Sequence, residues 1–176
     1  LVIDSDRGAR AAPSTVADMR ISPLLLATLL AATTASASNY REVTQAVGND
    51  AMLASAGVTP ENARLRAQCS AAVVETDDPP EFFDCVYVQT DRDLNLFSLE
   101  GGFLMSELQL TLGNMDGVAL QKMGRYRQLQ IFSGNRVAAL YIHGKGWIDK
   151  AQTERVYTWL REHGVSERAP RKWIGP

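Results

Sequence analysis

The sequence predicts an α+β domain: N-terminal helices, an antiparallel β-meander of about five or six strands, and a C-terminal helix packed on the sheet. Three observations carry this expectation. Helix-start signals cluster ahead of residue 75 and recur at Asp149. Between Phe82 and His143, runs of apolar and aromatic residues recur with strand-like spacing. Ser133-Gly134-Asn135-Arg136 supplies hairpin turn chemistry between two β-rich runs.

Taken in order, Asn39 with Glu42 has the form of a capping box, and Val43, Ala46 and Val47 give the first helix its apolar side. Gly48-Asn49 stops or kinks that helix. Asp50 caps a second short turn through Leu53, and Gly57 supplies its stop. Thr59-Pro60-Glu61 predicts a further helix, with a hydroxyl cap, Pro at the first helical position and an acid in the first turn. Leu65, Cys69, Ala72 and Val73 then share one helical face, which turns Cys69 inward. Asp77-Asp78-Pro79-Pro80 must break it.

Phe82 to Gln89 is β-branched and aromatic with apolar residues on both faces, as a central strand requires. Leu94 to Leu99 reads as a short strand ended by Gly101-Gly102. Leu104, Leu108, Leu110 and Leu112 fall at even spacing between Glu107, Gln109 and Thr111, which favours a strand; a helix would misplace Leu110. Asn114-Met115-Asp116-Gly117 is turn chemistry leading into Val118 to Lys122. A two-residue type II′ turn at Gly134-Asn135 then fixes a hairpin of Arg125 to Phe132 with Val137 to His143. Its register opposes Phe132 to Val137, Leu129 to Leu140, Gln128 to Tyr141 and Tyr126 to His143. Leu129, Ile131, Ala138, Leu140 and Ile142 make a core face, whereas Tyr126, Gln128, Gln130, Tyr141 and His143 make a polar face for solvent or a ligand. The last helix starts at Asp149, with Gln152 completing a capping box, and stops at Gly164. Val156, Trp159, Leu160 and His163 form its expected inner stripe, and Trp147 is expected to pack against it. The tail from Val165 is basic and loop-like.

The start of the chain carries the strongest local signal. Met19-Arg20 opens an uncharged Leu- and Ala-rich stretch from Ile21 to Ala32, followed by small residues ending Ala35-Ser36-Ala37. A basic end, a short apolar run and an A-x-A site are the parts of a cleavable secretory signal. The segment resembles bacterial Sec signals in its short basic region and A-x-A end. The expected organisation is therefore residues 1–18 as disordered upstream sequence or a cloning remnant, residues 19–37 as a signal cleaved after Ala37, and residues 38–176 as one mature domain with a short basic C-terminal tail. The apolar run falls short of the roughly 20 residues that span a bilayer, so no stable membrane anchor is expected after cleavage. The chain has two cysteines, Cys69 and Cys85, and in an exported protein an even number reads as a disulfide, here between a helix and the strand beneath it.

Function is far less legible. A formal net charge of -2 gives no field that gathers nucleic acid. The cysteine spacing and two histidines give no metal-ligand pattern, and no cofactor motif is present. No catalytic residue is assigned: His143 and His163 lack a nucleophile elbow or H-E-x-x-H context, and Asp77-Asp78 and Asp91-x-Asp93 lie in turns. His143-Gly144-Lys145-Gly146 is not a phosphate loop, and Asp149 occupies the following helix start. These readings lead to an exported, periplasmic or secreted interaction or accessory module, an inhibitor or immunity-type protein of an envelope-acting enzyme among them, whose partner is another envelope or secreted protein. The alternatives are a small hydrolase centred on His143 and Tyr126, or a small-molecule carrier.

Overall fold

In the computed structural model of the chain, residues 40–75, 80, 82–172 and 174 are described. The expectations for residues 1–37, the Asn39 cap and the Asp77-Asp78-Pro79 break lie outside them.

Helix α1 covers residues 40–47 and helix α2 is Asp50–Ser55, whose N-cap Asn49 accepts from Met52 N at 3.1 Å. Seven strands follow in one antiparallel sheet: β1 Leu65–Val74, β2 Phe82–Gln89, β3 Asp93–Glu100, β4 Phe103–Thr111, β5 Gly117–Met123, β6 Tyr126–Ser133 and β7 Arg136–Gly144. Their order is β4-β3-β2-β1-β7-β6-β5; a two-residue strand, β8 (Trp147–Ile148), pairs with β7. Helix α3 (Lys150–Glu162) packs against β5, β6 and β7. The α+β class and the C-terminal helix on the sheet are as the sequence predicts. The sheet has eight strands rather than five or six, because the third expected helix is a strand and the short β8 adds to β7.

That substitution is the main correction. Thr59 and Pro60 open a single turn, with Asn62 N and Ala63 N both reaching Thr59 O at 3.2 Å, and the chain then extends into β1. Arg66, Gln68 and Ser70 alternate with Leu65, Ala67, Cys69 and Ala71, so β1 also satisfies a period of two. It lies between β2 and β7, where ladder hydrogen bonds on both edges and burial on both faces outweigh the helical preference of its alanines. Cys69 and Cys85 are directly opposed on β1 and β2, with Cα atoms 4.8 Å apart, and form a disulfide. The bond therefore joins two strands, not a helix and a strand.

One apolar cluster gathers Leu94 and Leu96 of β3, Leu108 and Leu110 of β4, and Val118 of β5 with Leu129, Leu140 and Ile142. Strands from both ends of the order thus share one core, so the sheet curves around it. Val156 and Leu160 of α3 close that core. A bulge in β4 opposite Leu96 and Phe97 leaves Glu107 unpaired and turns Leu104 to the other face. There Leu104 joins Phe97 and Val86 under Val43 and Leu53 of α1 and α2, instead of sharing a face with Leu108.

The hairpin register is as expected at Phe132–Val137 and Leu129–Leu140, and Gly134 at φ 58° takes the first turn position. Asp149 caps α3, accepting from Gln152 N at 2.9 Å, and Gly164 at φ 88° follows its end. The inner stripe of α3 is Thr153, Val156 and Leu160. His163 is exposed at its C-cap, with its ring against Trp159 at 4.3 Å. Trp147 does not pack on the helix; it lies on the short β8 and is 79% exposed.

Candidate ligand-binding site

The polar face predicted for the last hairpin divides in two. At Gln128 and Gln130, both fully buried, it meets the chain's own C-terminal tail. The tail first runs along the β5 edge, where Val118 N donates to Ser166 O at 2.8 Å and Arg168 N to Val118 O at 2.9 Å. A Cβ on Gly117 would lie 2.3 Å from the Arg168 side chain, so glycine permits this close approach. The tail then crosses the outer face. Arg171 N donates to Gln130 Oε1 at 2.8 Å, and Ile174 N to Gln128 Oε1 at 3.3 Å. Gln128 Nε2 returns a hydrogen bond to Ile174 O, and Gln130 Nε2 reaches Arg171 O at 3.4 Å. Each glutamine thus satisfies both polar groups of one tail residue, which is how buried amides are accommodated. The segment expected to be a loose basic loop is a packed strap here, and Ile174 lies buried among Ala72, Val137 and Ala139.

Tyr126, Tyr141 and His143 remain together beyond the strap. They line a cavity of about 430 Å³ with Ser70, Phe82, Met123 and Ile148. Strand pairing builds its floor: β1 sets Ser70 opposite Tyr141 on one side and Asp84 on the other, and β8 sets Ile148 opposite His143. Gln128 Nε2 donates to the Tyr141 hydroxyl at 2.9 Å. Burial pushes Tyr141 up to about 12, partly offset by that hydrogen bond. Phe82 lies against the Tyr141 ring at 5.9 Å. Met123, 47% exposed, stands at the cavity.

Nothing in the sequence marks Ser70 or Asp84 as neighbours of His143, because the spacing of Leu65, Cys69, Ala72 and Val73 predicts a helix where β1 runs. Ser70 Oγ donates to Asp84 Oδ1 at 3.1 Å and lies 3.2 Å from His143 Nε2. A hydroxyl has one proton; given to the carboxylate, it leaves the Ser70 oxygen to accept from His143 Nε2–H. Burial holds the His143 imidazole below its ordinary range, with the Asp84 charge acting the other way. The three residue types match a hydrolytic triad, but their order does not. In a triad the histidine takes the serine proton and the acid orients the histidine. Here the acid holds the serine, and Nδ1 of His143 has no partner among the described residues. This wiring favours holding a ligand over activating Ser70.

The other acids examined in the sequence are structural where described. Asp91 pairs with Arg64 through two contacts, the longer 2.9 Å, and Asp93 opens β3. Among the described residues no group of His, Cys, Asp and Glu could hold a metal ion, and no helix is long and apolar enough to cross a membrane.

No family profile and no curated protein matches the sequence. Solved structures of the Vav1 exchange factor are similar over part of the chain. One, on its PH and C1 domains, aligns with TM-score 0.42 and 8% identity over 57% of this chain and 25% of that one. An apo structure of an activated Vav1 truncation aligns with TM-score 0.45 and 10% identity over 57% of this chain and 25% of that one. The chain thus spans about a quarter of those proteins.

Proposed function

We propose that this chain is an exported, non-catalytic binding module whose ligand surface is the cavity beside Tyr126, Tyr141 and His143. The carrying observation is the cavity itself. Its volume of about 430 Å³ and its lining of Phe82, Met123, Tyr126, Tyr141 and Ile148, with Ser70 and His143 as polar contacts, have the character of a binding pocket. Tyrosines offer a large contact area with a hydrogen-bonding tip, as binding hot spots do. The occupant we favour is an apolar side chain of an envelope or secreted partner, because the apolar Met123 of its lining is already exposed. A small apolar ligand is the second reading, favoured by the pocket volume. The Cys69–Cys85 disulfide supports an oxidising compartment.

The test is an affinity capture from envelope extract with the chain oxidised at Cys69 and Cys85. One stoichiometric partner, lost in a Tyr126→Ala, Met123→Ser variant with unchanged circular dichroism, supports the proposal. Turnover of an envelope substrate that disappears in His143→Ala would overturn it.

A further inference from the structure

Among the described residues, the buried side-chain polar atoms without a hydrogen-bond partner are the Tyr40 hydroxyl, Gln68 Nε2 and His143 Nδ1. Buried polar groups are nearly always paired, so three such atoms in one place call for an explanation. All three residues line one cavity of about 510 Å³, separate in its lining from the apolar one except at His143.

The fold brings them together by register and by one helix. β1 and β7 set Gln68 directly opposite His143. Helix α1 lays Tyr40 over them, its ring 6.4 Å from that of His143 and its hydroxyl 3.2 Å from where a Cβ on Gly146 would stand. Thr44 Oγ1, one turn along α1, lies 3.0 Å from Gln68 Oε1 and 2.9 Å from Tyr40 O; its single proton, given to Gln68, leaves Nε2 as the free end of the amide. Gln68 is only 7% exposed.

The chemistry of the occupant follows from these atoms. The Ser70–Asp84 contact places the imidazole proton on Nε2, so Nδ1 presents a lone pair and needs a donor. Gln68 Nε2 needs an acceptor. A carboxylate has no hydrogen for Nδ1, and an ammonium has no acceptor for Nε2. The group must be neutral and carry both. Val47, Leu65 and Ala67 form an apolar wall beside it, which suits a substituted amide better than a polyol. Of the charged residues in this lining, Arg66 is engaged by Asp50, Asp149 by the start of α3, and Lys145 is exposed.

We propose that this cavity binds an amide group, peptide or carboxamide, whose N–H donates to His143 Nδ1 and whose C=O accepts from Gln68 Nε2 and the Tyr40 hydroxyl. The site shares His143 with the apolar cavity but uses its Nδ1, whereas Nε2 faces Ser70.

The experiment is a titration of the full, oxidised, 15N-labelled chain with N-acetyl-alaninamide, followed at the Gln68 side-chain amide and the His143 ring nitrogens. A saturable shift at both is expected, weakened roughly two- to tenfold by Tyr40→Phe and removed by Gln68→Leu. Acetate and glucose at equal concentration should give no saturable shift. Tyr126→Ala should leave the titration unchanged, which separates this site from the apolar one. Peptides ending in the same amide binding tighter than the free probe would assign a peptide source, and equal affinity a free carboxamide. A larger response to acetate or glucose would overturn the proposal. So would a water cross-peak at Gln68 that the amide does not displace, since an ordered water alone would then satisfy these atoms.

Discussion

His143 concentrates most of the chemistry of this molecule in one side chain. It faces two cavities, shares Ser70 with Asp84, and is held below the ordinary imidazole range, first by burial. The charged groups around it are Asp84 through Ser70, and Lys145, Asp149 and Arg66 in the second cavity. In the unfolded chain the imidazole returns to its ordinary 6.5. Between that value and the lower folded one, the unfolded state binds more protons, so stability is lost as pH falls. Chemical denaturation at about pH 7.5 and about pH 5.5 should therefore show a decrease that is shallower in His143→Asn; an unchanged slope would remove His143 as its source. The sequence placed His143 beside Tyr126 and Tyr141 because the hairpin register was readable from Gly134-Asn135. It could not reveal Ser70, Asp84 or Gln68 as neighbours, since those depend on β1 being a strand.

Gln128 is the second informative residue. Its amide joins Ile174 N–H, Ile174 C=O and the Tyr141 hydroxyl in a buried layer. Replacement by Leu leaves the tail groups buried without partners, at a cost of about 2 kcal/mol. Hydrogen exchange should show protection lost first at the Ile174 amide. Retained protection there would mean that the apolar contacts of Ile174 hold the strap without the glutamine.

At the scale of elements, β1 shows where sequence reasoning meets its physical limit. Leu65, Cys69, Ala72 and Val73 fit a helical face, and Leu65, Ala67, Cys69 and Ala71 fit a strand face equally well. Alanine carries little information about either period, and the deciding energy comes from β2 and β7, distant in sequence. The pairing Cys69–Cys85 was accessible from the count of cysteines; its cross-strand geometry was not. With a sequence separation of 16, the double variant Cys69→Ala, Cys85→Ala should lose about 3 kcal/mol in the chain-entropy picture. A loss well below about 1 kcal/mol would show that the β1–β2 ladder already restrains the unfolded chain to the same degree. Helix α3 was the most legible element, because its cap, apolar stripe and glycine stop are all local. Asp149→Ala should cost about 1 kcal/mol through the lost contact to Gln152 N. A melting temperature unmoved by that change would contradict the cap's contribution.

At the scale of the whole molecule, local signals gave the class and most strand positions, and long-range closure decided the rest. The curvature of the sheet brings β3 and β4 onto the same core as β5, and the tail covers half of the face that patterning marks as open. Neither follows from hydropathy, because glutamines on an outward strand position read as solvated until something crosses them. What stays uncovered is the end of the hairpin, where Met123 and Tyr126 flank a pocket floored by Ser70, Tyr141 and His143. The central claim is that this end holds a partner without chemistry. A photo-crosslinking amino acid placed at Met123 in the full chain, exposed to envelope extract, tests it most directly. The account predicts one discrete adduct at Met123 that is absent when the same group replaces Asp91, and that persists in His143→Ala at reduced yield. No adduct at Met123, or an adduct equally strong at Asp91, would contradict it.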